Sequence, residues 1–258
     1  MENLQDTLIK FNPIGLEEMD SMQLLDRNET KFLFNTIQLD EILSQALDFY
    51  RILSINDQRI FPYQNTYLDT EDYDFFYQHM TGKLKRYKVR HRTYLATSQS
   101  FLEIKCKTNK KRTIKWRISE NLQVETLDPQ SMDFLVNHLG GCAYKLHKVL
   151  ATKYERLTLV SLKTKERITI DNNLSFKVKE GIHSEMPFLS IAEIKHDNFS
   201  NHSPFLDIMK RMQIHKSHFS KYCMGIAMLK KMPKTNSLKS SILQLNKIKN
   251  EKSSFSFA

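Results

Sequence analysis

The fold is decided by three neighbouring stretches: KLKRYKVRHRTY (residues 83–94), FLEIKCK (101–107) and RTIKWRI (112–118). Read as β-strands, each places alternate residues on one face. Lys88, Arg90 and Arg92 share a face in the first. Glu103, Lys105 and Lys107 share one in the second, and Lys115 and Arg117 in the third. The opposite faces carry Tyr87 and Val89, then Leu102, Ile104 and Cys106, then Ile114, Trp116 and Ile118. Like charges set side by side across a sheet repel and cost stability. Three adjacent strands that keep them therefore point to a polyanionic ligand, whereas a single basic strand would be an ordinary wet face.

The rest of the composition agrees. The chain has 258 residues and a formal net charge of +10, which favours acidic partners: polyphosphate, nucleotides, nucleic acid or anionic lipid. It has no apolar run of 18 residues, so no membrane span is expected. The start, MENLQDTLIK, lacks the pattern of a secretory signal. Cys106, Cys142 and Cys223 are far apart and odd in number. They fit neither a zinc site nor a disulfide framework, and a reducing cytoplasm is expected. Only six glycines are present and none forms a phosphate loop, so phosphate must be held by side chains.

Residues 1–22 are weakly patterned and read as an N-terminal arm. LLDRNETKFLFN (24–35) is a strand in which Arg27, Glu29, Lys31 and Leu33 alternate with Phe32 and Phe34. Asn35 and Gln38 form a capping pair for a helix over 36–50, with an apolar stripe of Leu39, Ile42, Leu43, Ala46 and Leu47. IFPYQNTYLDT is extended, and TEDYDFFYQHMTG reads as a connector with aromatic anchors. Asp128 and Pro129 open a helix over 128–139. Strands follow at 148–161, 166–176 and 189–196, then a helix from Ser203 and Pro204 and a final helix after HKSHFSK. The domain is expected to span 23–232, with a mobile basic tail at 233–258.

At least seven strands thus pair a charged face with an apolar one. One solution is an open sheet with its charges turned to water. The other is an α+β fold in which the antiparallel sheet closes into a barrel, with a basic, polar lumen and helices outside. Only the closed form makes use of converging cations, and it is the expectation taken here.

The pieces DRNETKF, NTYLDT, KVRHRTY, FLEIKCK, TIKWR, KYERLTL, ERITID, AEIK and HFSKYCMGI occur in order over roughly residues 24–228. Their set resembles the polyphosphate polymerase domain of the vacuolar transporter chaperone family, within the triphosphate tunnel enzymes, in its bacterial single-domain form. The resemblance implies transfer of the terminal phosphoryl of ATP to a polyphosphate chain, aided by a divalent metal, Mn²⁺ or Mg²⁺. It also implies roles for residues. Arg90, Arg92, Lys105, Arg156 and Lys221 would serve the reaction. These five, with Lys31, Lys115, Tyr154, Arg167 and Ser220, would hold phosphate; His79 and His218 stand where the family has basic contacts. Glu193, with Glu29, would bind the metal.

The family's hydrolases carry two glutamates and a lysine in the first strand. Here the first of these positions is Arg27, with Glu29 and Lys31 retained, which turns the expectation from hydrolysis to polymerisation. Tyr67 and Asp69 read as structural. Alternatives are a triphosphate hydrolase on the same fold and a non-catalytic polyphosphate or RNA binder. Tyr87, Phe101 and Trp116 do not form a recognised RNA-stacking motif, so nucleic acid is not the favoured partner.

Overall fold

The computed structural model describes residues 4–21, 27–110, 112–120, 127–179, 181–197 and 203–251. The strands are β1 (Pro13–Ile14), β2 (Arg27–Asn35), β3 (Arg51–Leu53), β4 (Phe61–Asp69), β5 (Arg86–Tyr94), β6 (Gln99–Lys107), β7 (Thr113–Ser119), β8 (His147–Ser161), β9 (Glu166–Lys177), β10 (His183–Met186), β11 (Leu189–Asp197) and β12 (Lys216–Ser217). The helices are α1 (Leu4–Lys10), α2 (Leu16–Ser21), α3 (Leu39–Ala46), α4 (Asp74–Met80), α5 (Pro129–Leu139), α6 (Pro204–Arg211), α7 (Lys221–Leu229) and α8 (Lys239–Asn250).

One sheet runs β12-β2-β11-β9-β8-β4-β5-β6-β7, with β1, β3 and β10 as side branches. All pairs along this path are antiparallel. Its outer face is apolar because the alternation places Phe32 and Phe34, Leu157 and Leu159, and Ile168 and Ile170 there, against Leu39, Ile42 and Leu43 of α3 and Phe205 and Ile208 of α6. A second outer cluster joins Val89, Leu102 and Ile104 to Leu135 of α5. Burial of such side chains, each worth about 1.5–3 kcal/mol, fixes which face of every strand turns inward.

The α+β class and the outer helices agree with expectation; the closed barrel does not. Among the described residues no ladder joins β7 to β12, and the path has two free edges. β12 is two residues long, and β7 carries exposed Lys115 and Arg117. Short, lysine-bearing edges are the kind that block further pairing. The sheet nevertheless curls far enough for its two ends to share a cavity: Lys105 of β6 feels Glu29 and Lys31 of β2 and Glu193 of β11.

Three further segments differ from the sequence reading. The aromatic connector contains α4, held by Asp69, whose carboxylate accepts from the backbone N–H of Thr70, Phe75 and Phe76 at 2.8–3.0 Å. Tyr222 of α7 donates its hydroxyl to the same carboxylate. The structural reading of Asp69 therefore stands. The N-terminal arm packs into the domain through Leu8, Phe11 and Ile14, all buried. The tail is not a free extension through residue 251. α8 buries Leu245 and Ile248, and Asn35 donates to the carbonyl of Ile248 at 2.9 Å. Residues 252–258 lie outside the described residues. The Asn35–Gln38 capping pair forms as read, although it opens a short 3-10 turn before α3 begins at Leu39. No helix among the described residues is long and apolar enough to cross a membrane.

Candidate active site

The curled face encloses a cavity of about 440 Å³. Ten cationic side chains line it against four carboxylates, so its balance is strongly positive. The cations come from β2 (Lys31), β5 (Lys88, Arg90, Arg92), β6 (Lys105), β7 (Lys115, Arg117), β8 (Arg156), β11 (Lys195) and the start of α7 (Lys221). Strand alternation alone aims them inward, since each faces away from the apolar layer under the helices.

Two carboxylates organise the arginines. Glu103 lies opposite Arg90 in the β5–β6 register. Arg90 Nε stands 2.7 Å from Glu103 Oε2, and Arg92 Nη1 is 3.7 Å from Oε1. Burial opposes ionisation of Glu103, but Arg90 and Arg92 hold its pKa below the usual value. Arg92 Nε also donates to Asn65 Oδ1 at 3.1 Å. On the other wall Asp171 is the register partner of Arg156. It accepts from Arg156 Nε at 2.6 Å and Nη2 at 2.9 Å, and from Lys221. Burial again opposes the charge, yet these two cations hold the Asp171 pKa down to about 2. Tyr154 lies beneath Lys221, whose Nζ is 4.4 Å from the ring centroid. Despite burial, Arg156 and Arg92 lower its pKa.

The start of α7 enters the cavity between two walls. Phe219 O accepts from Lys31 Nζ at 3.4 Å, and Ser220 Oγ accepts from Lys88 Nζ at 2.8 Å. Ser220 Oγ also caps the helix by accepting from the Cys223 N–H. Gly225 makes this docking possible, because a Cβ there would meet Phe176 at 2.6 Å and Leu150 at 2.7 Å. Burial, together with Lys31, Lys105 and Arg90, pushes the Lys88 pKa down to about 8.

Glu29 and Glu193, the metal candidates, flank Lys31. Glu193 and Lys31 are paired in register, and Lys31 Nζ is 3.3 Å from each carboxylate. The second oxygen of Glu193 is 2.7 Å from Lys195. Burial opposes its ionisation, but Lys195 and then Lys31 keep it well below the ordinary carboxylate range. Among the described residues no group of three or more metal-ligating side chains gathers. This lysine-committed pair does not fit a divalent metal held by the protein alone.

The structure brings together Lys31, Arg90, Arg92, Lys105, Lys115, Tyr154, Arg156, Ser220, Lys221, Glu29 and Glu193. It leaves three candidates out of the cavity lining. His79 sits on α4 with Nε2 3.0 Å from the Tyr87 carbonyl, and burial with the nearby Lys88 charge pushes its pKa down to about 3. A neutral ring committed to a backbone carbonyl is no phosphate contact. His218 is exposed, just before the segment that enters the cavity. Arg167 lies opposite Lys195 in the β9–β11 register, beyond the lining. The side chain of Arg27 lies outside the described residues. The candidate residues omitted Lys88, Glu103, Arg117, Asp171 and Lys195, although strand alternation already set Lys88, Glu103 and Arg117 on cationic faces.

An antiparallel sheet curled around converging cations, with helices outside, frames the site. The VTC domain pattern matches residues 26–230, and the chain belongs to the VTC domain family. Comparison with curated proteins finds no match. Among solved structures, a candidate adenylate cyclase from Bacillus halodurans is 15% identical, with a TM-score of 0.51 over 76% of this chain and 94% of that one. It shows a shared fold. A candidate adenylyl cyclase from Hippeastrum, described as having a dominant triphosphatase activity, is 14% identical with a TM-score of 0.48, covering 81% of this chain and 99% of its own.

Proposed function

We propose that this chain is an ATP-dependent polyphosphate polymerase. One observation carries the reading: in a VTC domain, ten cations and four carboxylates converge on one cavity. Phosphoryl transfer needs positioning and charge neutralisation more than covalent help from the protein. The forks of Arg90, Arg92 and Arg156 suit paired non-bridging oxygens, while Lys31, Lys88, Lys105 and Lys221 act as point charges. In the reaction a terminal oxygen of the polyphosphate chain attacks the γ-phosphorus of ATP. The bond from that phosphorus to the β–γ bridging oxygen breaks, and ADP leaves with the electron pair. The attacking oxygen is already anionic near neutral pH, so no protein base is required. The cavity walls stabilise the charge that spreads over the transferring group.

The test incubates the full chain with ATP and Mg²⁺ or Mn²⁺, then follows polymer on a gel beside free orthophosphate. Long polymer with equivalent ADP is the expected result. Orthophosphate release without polymer would assign the cavity to hydrolysis instead.

A further inference from the structure

Phosphate-holding cations do not call for aromatic rings beside them, yet a row of rings continues the inward face at one end of the cavity. Tyr63 of β4 stacks on Tyr154 of β8 with centroids 5.4 Å apart and planes 10° from parallel. Tyr94 of β5 meets Tyr63 edge-on at 5.0 Å, and Phe101 of β6 meets Tyr94 edge-on at 5.8 Å. Arg117 of β7 lies over Phe101, 4.9 Å from the centroid. Tyr94 is two residues past Arg92 and Phe101 two before Glu103, so both share the inward face by alternation. Both are half-buried, and neither belongs to a hydrophobic cluster of the described residues. Phe219–Lys221 also enter the cavity, bonded to Lys31, Lys88 and Asp171, with Lys221 over Tyr154.

The geometry points to a nucleobase site: the base of the phosphoryl donor stacks on the Phe101–Arg117 pair, and Tyr94, set edge-on to Phe101, bounds the platform. The donor's triphosphate then runs inward past Arg92 and Arg90. Phe101 to Lys105 is four residues of strand, about 13 Å, which leaves room for an extended triphosphate between base and Lys105. Aromatic faces and Arg planes are the groups on which bases stack. The inference deepens the polymerase reading and rests on it, by assigning side chains to the base of the nucleotide donor.

The test compares ATP with inorganic tripolyphosphate, which has no base, by calorimetry at one fixed Mg²⁺ concentration. Wild type, Phe101→Leu and Tyr94→Leu are measured, since leucine keeps apolar bulk in each strand and two sites guard against one misfolding. ATP affinity should fall about tenfold in the variants, while tripolyphosphate affinity stays the same, which also shows that they are folded. The triphosphate of 2-aminopurine riboside should lose fluorescence on wild type and not on Phe101→Leu. Equal weakening of both ligands, or no change in either, overturns the platform. Absent quenching on wild type that still binds tripolyphosphate overturns the platform and leaves the phosphate cavity standing. Binding of neither ligand by wild type overturns both readings.

Discussion

Arg156 and Asp171 face each other across the β8–β9 ladder with both guanidinium–carboxylate bonds formed, at 2.6 and 2.9 Å. Lys221 reaches the same carboxylate from α7. One buried acid thus holds two cavity cations from two elements in place before any ligand arrives.

Replacing that acid should separate stability from binding. Asp171→Asn keeps the shape but removes the charge, leaving Arg156 and Lys221 facing each other. The Tm should fall without ligand, as breaking a buried pair costs about 3–5 kcal/mol. The rise in Tm on adding tripolyphosphate should be larger than in wild type. The Asp171 pKa is about 2 in the fold, below an unfolded value of about 3.9. Its contribution of ~2–3 kcal/mol is therefore full above about pH 4 and lost as pH falls towards 2. Urea midpoints measured across that window should drop more steeply in wild type than in Asp171→Asn.

Arg90→Ala should weaken tripolyphosphate binding about 10- to 100-fold, since charge-assisted hydrogen bonds contribute about 1.5–3 kcal/mol each. Arg90→Lys should not restore it, because a lysine cannot present the fork or keep both bonds to Glu103. Calorimetry on both variants checks this, and Glu103→Gln should leave binding no weaker than in wild type.

Lys88 is a cavity cation whose charge should change within the working range. Burial and its cationic neighbours bring its pKa to about 8, so it loses its proton as pH rises through that value. A bound phosphate favours the charged form. Tripolyphosphate affinity should therefore decline between about pH 7 and 9, several-fold, and Lys88→Arg should flatten the profile. An unchanged slope in that variant would assign the pH dependence elsewhere.

Gly225→Ala tests the seat of α7. The added methyl would fall within 2.7 Å of Phe176 and Leu150, and overpacking of this kind costs about 1–3 kcal/mol. A lower Tm should come with weaker tripolyphosphate binding, because the same helix carries Lys221 and the Ser220 contact to Lys88.

Much of this architecture was legible because a strand has only two faces. The alternation in KVRHRTY and FLEIKCK sorted Arg90, Arg92 and Lys105 from Val89, Leu102 and Ile104, and the structure keeps that sorting. Features set by distant partners were not legible. α4 follows Tyr73 at a positive φ and depends on the Asp69 carboxylate. α8 has sparse apolar residues, and it is held by burying Leu245 and Ile248 and by bonds to Asn35 and Ser217, all distant in sequence. His79 and His218 occupy motif positions, but a motif position does not say where a side chain points. The open seam depends on pairing between segments some 100 residues apart, on which periodicity is silent.

The order of the strands also sets when the site can exist. β2 emerges early but pairs with β11 and β12, and Lys31 meets the carbonyl of Phe219 across 188 residues of chain. During synthesis β2 therefore waits with both of its backbone edges unsatisfied until nearly the whole polypeptide has left the ribosome. Such non-local closure folds slowly and exposes sticky intermediates. The cavity cannot be complete before β11 and the start of α7 have been made, and a chain truncated ahead of β11 lacks the wall that carries Glu193 and Lys195.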